Sequence, residues 1–180
     1  MRRRAGRPQL KRDPLDSGTM SADEELTKIV VDLPNHWATG GEGMWAKSLG
    51  KDLYEIRNVP FHAYGLNFGD VVRAREPAPD KKPLVSELVR PSGHRTLRVF
   101  FKESVAEPAR LELLQSLGGL KASFEGATTR HFAIDIEPEG DYAAVCDRLA
   151  EWEAQGLLEY ETCEQRAPGR FDDGPEVPDE

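Results

Sequence analysis

The sequence has few cysteines and no long apolar segment. Its 180 residues include two cysteines, Cys146 and Cys163, which lie outside any CxxC spacing. A disulfide framework or a cysteine metal site is therefore disfavoured, and both thiols are expected to be small core residues. No run reaches the roughly 18 apolar residues that a membrane helix needs. The sequence thus predicts a soluble, cytoplasmic protein that has no membrane partner.

Basic residues are outnumbered by acidic ones outside the start of the chain. Residues 1–19 hold six Lys or Arg and two Asp or Glu, whereas residues 20–180 hold 18 basic and 30 acidic residues, a net charge of −12. Such an acidic body repels phosphate backbones, so nucleic-acid binding is disfavoured except through the N-terminal arm. A protein partner is favoured instead, and a basic one in particular.

The two ends of the chain combine low apolar content with no periodicity. This composition predicts a disordered arm at residues 1–24 and a disordered acidic tail at residues 167–180. Two interpretations of the arm stay open. It is either an RNA- or DNA-binding segment or a leader in front of a true start at Met20.

Short strand-like runs separated by glycine and proline fill residues 25–92. At the centre of this region, a constrained turn joins two strands, the second predicted at 68–75. Gly65 and Gly69 supply turn positions where φ can be positive, and Asp70 can accept hydrogen bonds from nearby backbone N–H groups. Short strands at this spacing predict a small β-barrel module.

Residues 93–166 change to an order in which strands alternate with helices. After a first strand, Ser104 and Glu107 form a capping-box pattern, and the helix that follows is expected to end at Gly118–Gly119. Two strands and a second helix, capped by Asp141, lead to a last strand. The order β-α-β-β-α-β predicts a ferredoxin-like module, with two helices on one face of a four-stranded antiparallel sheet. The predicted fold class is therefore α+β.

Two motifs resemble a known family. They are NVPFHAYGLNFGDVV at residues 58–72 and SGHRTLRV at residues 92–99. Together with the flanking runs WAKSLGKDLYEIR and ELVRP, they are similar to the bacterial domain of unknown function family 4265, over about residues 28–163. The resemblance implies a bacterial protein, with an actinobacterium as the expected source, and it supplies no activity.

Four histidines are the candidates for metal or acid–base chemistry: His36, His62, His94 and His131. No pair has the HxH strand spacing or the i, i+4 helical spacing of common zinc sites, so no metal is predicted. The pair Gly40–Gly41 does not resemble a phosphate loop, because no helix is expected to begin after it. No cofactor is predicted.

The segment around His94 admits a catalytic and a structural interpretation. Ser92 and His94 are two residues apart, so on a strand both side chains point the same way, and Asp70 could orient the histidine. This arrangement would be a hydrolytic triad, although the sequence has no GxSxG elbow. In the structural interpretation, Ser92 and Gly93 turn the chain between the two modules, and His94 forms a hydrogen bond across the junction.

A third interpretation makes the same segment a binding site. Arg95 and Arg98 would recognise a partner carboxylate, because a guanidinium group forms two parallel hydrogen bonds to such groups. Aromatic residues of the first module would form the apolar floor of a groove between the modules. The predicted binding residues are Ser92, His94, Arg95, Arg98, Trp45, Phe61 and Tyr64.

Three functions remain open from the sequence. The favoured one is a non-enzymatic interaction or regulatory protein, such as an immunity-type binder whose acidic surface blocks a basic partner, because it needs no missing motif. The second is a small-ligand sensor, in which the ferredoxin-like module encloses a metabolite with a second copy or with the barrel. The third is a hydrolase or nuclease centred on His94.

Overall fold

A computed structural model describes residues 25–175 of the chain. The predicted disordered arm at residues 1–24 lies outside the described residues, as do the last five residues of the predicted tail.

Five strands close a barrel in the first half of the chain. They are β1 (Leu26–Asp32), β2 (Gly41–Gly50), β3 (Leu53–Ile56), β4 (Val71–Arg75) and β5 (Leu84–Arg90). Consecutive strands pair antiparallel, and a parallel contact between Val30 and Leu84 joins β1 to β5. Alternate apolar side chains point inward and form the barrel core, including Ile29, Val31, Met44, Ala46, Val72 and Ala74. The prediction of a small β-barrel is confirmed.

The long loop between β3 and β4, residues 57–70, has the turn chemistry that the sequence predicts. Gly65 and Gly69 have φ values of 74° and 76°. The carboxylate of Asp70 accepts hydrogen bonds from the backbone N–H groups of Asn67 and Ser92, at 2.8 and 2.7 Å. Strand β4 begins at residue 71 and not at the predicted residue 68, because the positive φ of Gly69 is incompatible with an extended strand.

The second half of the chain forms a four-stranded antiparallel sheet. Its strands are β6 (Arg95–Phe101), β7 (Ala122–Gly126), β8 (His131–Ile136) and β9 (Leu158–Thr162), in the spatial order β7-β8-β6-β9. Helices α1 (Glu107–Gln115) and α2 (Tyr142–Ala154) pack on one face of this sheet. The core between them includes Leu97, Val99, Phe101, Ile134, Leu114, Val145 and Leu149. The predicted α+β class is confirmed. Within residues 25–175, neither α-helix is long and apolar enough to cross a membrane.

The start of α2 agrees with the sequence, whereas the start of α1 does not. Asp141 caps α2, because its side chain accepts a hydrogen bond from the N–H of Ala144 at 3.0 Å. The N-cap of α1 is Ala106, which provides no side-chain hydrogen bond. The predicted capping box of Ser104 and Glu107 is therefore wrong. A proline in the first turn begins the helix instead, since it lacks an N–H and its φ is already helical.

The end of α1 also differs from the prediction. The α-helix ends at Gln115 and continues as a 3₁₀ helix at Ser116–Leu120, which contains the two glycines expected to stop it. The left-handed residue is Lys121, with φ 56°. The tighter 3₁₀ turn moves the end of the helical segment to Leu120.

Residues 167–175 pack against the barrel, so the prediction of disorder from residue 167 onward is wrong for this part of the chain. Phe171 is 9% exposed and belongs to the barrel core, and its carbonyl accepts a hydrogen bond from the N–H of Tyr64 at 2.8 Å. Asp172 is 1% exposed and accepts hydrogen bonds from the backbone and the side chain of Asn35, at 2.8 and 3.0 Å. We refer to residues 163–175 as the C-terminal strap.

Candidate functional site

The face of the second sheet opposite the helices packs against loop 57–70 of the barrel. Because side chains alternate along a strand, Leu97 and Val99 of β6 face the helices, whereas Arg98 and Phe100 face the barrel. Hydrogen bonds that cross this boundary run from Val59 N–H to Glu125 (3.2 Å), from Tyr64 Oη to Glu161 (3.2 Å) and from Gly65 N–H to the Cys163 carbonyl (2.7 Å). The loop that carries the longer family-like motif therefore forms the boundary between the two modules.

Glu42 of β2 holds this loop in place. Its side-chain oxygens accept hydrogen bonds from the backbone N–H groups of Phe61, His62 and Ala63, at 2.6, 2.9 and 2.8 Å. A buried carboxylate is stable here because three donors replace the water that it loses. Sequence reasoning missed Glu42, since a single acidic residue in a strand carries no pattern that distinguishes it from an exposed one.

Arg98 lies at the module boundary and is completely buried. Its guanidinium group donates to Glu161 at 3.1 Å and to the Ala63 carbonyl, and its Cζ lies 4.9 Å from the centre of the Tyr64 ring. The prediction that Arg98 recognises a carboxylate on a partner is wrong, because its side chain is inaccessible. Arg98 instead joins the second sheet to the barrel loop.

The structure brings Ser92, Asp70 and His94 near one another without assembling a triad. The hydroxyl of Ser92 donates to the Phe68 carbonyl at 2.6 Å, and the backbone N–H of His94 donates to this hydroxyl at 3.1 Å. The imidazole of His94 pairs with Asp135 of β8, whose two oxygens are each 2.9 Å from Nδ1. The Asp70 carboxylate is occupied by backbone donors, and burial raises its pKa. These contacts agree with the structural interpretation of the segment as a junction.

The other predicted binding residues do not form one groove. Arg95 lies at the surface, with its guanidinium group 2.7 Å from Glu164 and 3.3 Å from the Tyr142 ring centre. Trp45 is partly exposed and lies 4.6 Å from the ammonium group of Lys28 on the neighbouring strand. The ring of Phe61 contacts the ring of His131 at 5.6 Å, and Tyr64 is fully buried. The common aromatic floor that the sequence predicts is therefore not formed by these rings.

Three histidines from distant parts of the sequence form a row across the module boundary. His36 follows β1, His62 lies in loop 57–70, and His131 begins β8. The ring centres are 5.3 Å apart between His36 and His62, and 5.6 Å apart between His62 and His131. Among residues 25–175, no three His, Cys, Asp or Glu side chains are placed to hold a metal ion. Sequence reasoning missed the row because only the fold brings the three rings together.

Each end of the histidine row carries a second aromatic ring. Trp37 stacks on His36 with a centroid distance of 5.8 Å, and Phe100 stacks on His131 at 4.2 Å. Burial lowers the pKa of each of the three histidines, that of His131 to about 4. The nearby Arg98 guanidinium lowers all three further, whereas carboxylates including that of Glu161 oppose the shift. The row is therefore neutral at pH 7.

We expect the protein to lose stability as the pH falls from 6.5 towards 4, because the unfolded histidines then bind more protons than the folded ones. The contribution of His131 is fully present above pH 6.5 and is lost as the ring is forced to charge. After discounting for solvent around the half-buried ring, the loss is about 1–2 kcal/mol. Urea unfolding between pH 7.5 and 4.5 measures it, with His131→Phe as the control whose curve should be flatter. Identical pH dependence in both proteins would contradict the assignment.

A groove at the boundary lies between Trp37 and Phe100. It is lined by Trp37, Phe100, Glu159, Tyr160 and Glu161 and has a volume of about 340 Å³. A second cavity of about 410 Å³ shares Phe100 and Glu159 and also includes His131. Trp37 is 74% exposed, the largest exposed fraction among the large apolar side chains of residues 25–175. We call the first cavity the Trp37 groove; it places aromatic rings beside the carboxylates of β9.

The two carboxylates of the Trp37 groove differ in their partners. Glu161 is shared by Arg98, Arg166 and the hydroxyl of Tyr64, each at 3.1–3.2 Å. Glu159 is 66% exposed and forms an ion pair with Lys102. Glu159 is therefore the more accessible acceptor for a bound group.

Residues 42–160 match the model of the family described as Domain of unknown function (DUF4265). The chain belongs to this family. The resemblance carried by the motifs at residues 58–72 and 92–99 is thereby confirmed. No curated protein matches the chain. A similar solved structure is described as "Novel crystal structure of a hypothetical protein from Neisseria gonorrhoeae"; it is 15% identical, with a TM-score of 0.64 over 77% of this chain and 95% of that chain. At this identity the likeness concerns the fold alone.

The DUF4265 match covers most of the boundary between the modules. It begins at Glu42, which holds loop 57–70, and it includes Arg98, Phe100 and His131. His36 and Trp37 precede the matched range, and the C-terminal strap follows it. The Trp37 groove therefore combines side chains from within the DUF4265 range with others outside it.

Proposed function

We propose that the protein is a non-enzymatic binding protein, of an immunity or regulatory type, that receives a basic protein partner. The observation that carries this proposal is the exposure of Trp37 in a groove beside the carboxylates of Glu159 and Glu161. Tryptophan is among the residues that most often dominate the energy of a protein interface. A net charge of −12 over residues 20–180 adds long-range attraction for a basic partner.

The architecture of the second module indicates where a partner would dock. We assign this module to the ferredoxin-like architecture, because it combines the element order β-α-β-β-α-β with the spatial strand order β7-β8-β6-β9 and antiparallel pairing. Loop 57–70 contacts the sheet face that such a module leaves free of helices. A partner would therefore dock at the side of this face, where Phe100 and Glu159 line the groove.

The other two functions have weaker support. The cavities of about 340 and 410 Å³ reach the size of small-ligand pockets, but they are lined by exposed side chains such as Trp37 and Glu159, whereas a small-ligand pocket buries most of its ligand. The hydrolase requires the Ser92 hydroxyl to give its proton to a base, whereas this hydroxyl donates to the Phe68 carbonyl.

We expect Trp37→Ala to weaken partner binding at least tenfold, because a buried interface tryptophan typically contributes about 2 kcal/mol or more. The immobilised full-length protein is exposed to extract from the organism that encodes it, and retained proteins are quantified by mass spectrometry. The basic protein that is retained in the largest amount is then purified, and its Kd for the immobilised protein is measured.

Trp45→Ala is the matched control, because Trp45 is also partly exposed but lies on the outside of the barrel. It should leave the Kd within about twofold. Equal losses for the two variants, or no loss for Trp37→Ala, would contradict the proposed site. Thermal unfolding of both variants shows whether the fold is kept.

A further inference from the structure

We propose that the Trp37 groove binds the guanidinium group of an arginine side chain on the partner. This inference rests on the proposed function and specifies the chemistry of its site. The groove offers an indole ring, a phenyl ring and an accessible carboxylate within about 340 Å³. These groups match the flat faces, the positive charge and the hydrogen-bonding edge of a guanidinium group.

The protein already holds two of its own arginines in this way. The guanidinium group of Arg95 lies 3.3 Å from the Tyr142 ring centre and donates to Glu164 at 2.7 Å. That of Arg166 lies 3.9 Å from the Tyr64 ring centre and donates to Glu161 at 3.1 Å. In both cases a ring supports the face of the cation while a carboxylate accepts hydrogen bonds from its edge.

The Trp37 groove repeats the ring and the carboxylate of this arrangement. Tryptophan is the best aromatic partner for a cation, and Trp37 is largely exposed. Glu159 is paired with the single ammonium group of Lys102. A carboxylate has about four lone-pair sites, so Glu159 keeps acceptor capacity for a bidentate contact.

The charge of the histidine row affects how well the Trp37 groove binds a cation. His36 lies against Trp37 and His131 lies against Phe100, so both groove rings rest on neutral imidazoles at pH 7. The charged groups around the row are Arg98 of β6, Glu161 of β9, Glu42 of β2 and Asp173 of the C-terminal strap. Protonation of the row adds positive charge beneath the groove and should weaken the binding of a cation.

The test uses the full-length protein and N-acetyl-arginine methylamide as the probe, with the citrulline analogue as a neutral match of the same shape. Two-dimensional ¹H–¹⁵N NMR follows the indole N–H of Trp37, assigned with Trp37→Phe. We expect a saturable shift with a Kd on the order of 1–10 mM for the arginine probe at pH 7.5. The citrulline probe should produce no saturable shift at the same pH.

Glu159→Gln should raise the Kd at least fivefold, whereas Glu164→Gln, which alters a carboxylate already occupied by Arg95, should leave it within about twofold. The remaining NMR spectrum of each variant shows whether the fold is kept. N-acetyl-lysine methylamide is a second control, which has a positive charge but no guanidinium group. Three results would each overturn the guanidinium assignment: saturation by the citrulline probe at the same concentration, equal binding of the lysine probe, or no effect of Glu159→Gln.

The two proposals fail in different ways. If the arginine probe does not bind but Trp37→Ala still abolishes partner retention, the docking site stands and the guanidinium assignment falls. If the probe binds as expected but Trp37→Ala leaves partner retention unchanged, the groove is a guanidinium site and the proposed mode of partner binding falls.

Discussion

Replacing Arg98 with methionine is expected to destabilise the protein by about 3–5 kcal/mol. The guanidinium group of Arg98 is fully buried and contacts Glu161, the Ala63 carbonyl and the Tyr64 ring. Methionine can fill much of the volume but removes every donor. The Ala63 carbonyl then loses a buried hydrogen bond, and Glu161 loses a charge partner at the module boundary.

Arg95→Met is the matched control for this prediction. Arg95 lies on the same strand and also combines an ion pair with a ring contact, but its side chain is exposed. A surface ion pair contributes at most about 1 kcal/mol. Urea unfolding of the two variants should therefore give clearly different losses, and similar losses would contradict a structural role for Arg98.

A double variant distinguishes the lost hydrogen bonds from the uncompensated charge. Glu161→Gln in the Arg98→Met background removes the carboxylate that Arg98 leaves behind. Arg166 still lies 3.1 Å from that side chain, so only part of the stability should return. If the double variant is less stable than Arg98→Met alone, then Arg166 by itself neutralises the charge of Glu161.

The sequence predicts those parts of the fold that depend on local patterns. Alternating apolar residues mark strands of both sheets, such as Phe132 and Ile134 of β8, because their period follows from the backbone itself. The turn at Gly69 and the cap at Asp141 are also predictable, since glycine tolerates a positive φ and aspartate accepts from nearby N–H groups.

Arg98 shows where local patterns stop being informative. It alternates with Leu97 and Val99, which is the pattern of a strand with one face in solvent. In the structure that face is covered by loop 57–70, so the polar position is buried and paired. Whether a polar strand position meets water depends on a segment that lies more than thirty residues away, and no periodicity within β6 contains that information.

The candidate site depends still more on distant contacts. The Trp37 groove combines a residue after β1 with residues of β6 and β9. Trp37 stands in the polar, glycine-rich stretch NHWATGGEG, where the small Ala38 is its one apolar neighbour and no alternating apolar pattern suggests packing. An isolated aromatic residue in a polar loop was the one available signal, and exposure could be established only from the fold.

The C-terminal strap is the clearest departure from compositional reasoning. The stretch APGRFDDGPEVPDE is rich in proline and acidic residues, which is typical of disorder. One buried aromatic residue, one buried carboxylate and a backbone hydrogen bond to Tyr64 hold residues 167–175 on the barrel. Composition averages over a segment, whereas docking depends on one or two side chains with matched partners.

Deleting residues 167–180 is expected to lower the Tm by about 5–15 °C. Burial of Phe171 contributes roughly 1.5–3 kcal/mol, and the carboxylate of Asp172 satisfies two donors of Asn35 in the loop that also carries His36 and Trp37. For a chain of this size each kcal/mol shifts the Tm by about 2–4 °C. Deletion of residues 176–180 alone is the control, because it leaves both anchors in place.

Phe171→Ala and Asp172→Asn separate the two anchors of the strap. Phe171→Ala should account for most of the lost stability, because it empties a position in the barrel core. Asp172→Asn removes the ion pair with Arg170. The hydrogen bond from Arg170 is the main reason why the pKa of Asp172 is lowered to about 2. The stability that this carboxylate provides is present above its unfolded pKa of 3.8 and is lost as the pH falls towards 2.

The deletion experiment can also contradict the docking of the strap. If removing residues 167–180 changes the Tm no more than removing residues 176–180, the strap does not stabilise the barrel, and its contacts with Tyr64 and Asn35 contribute nothing measurable.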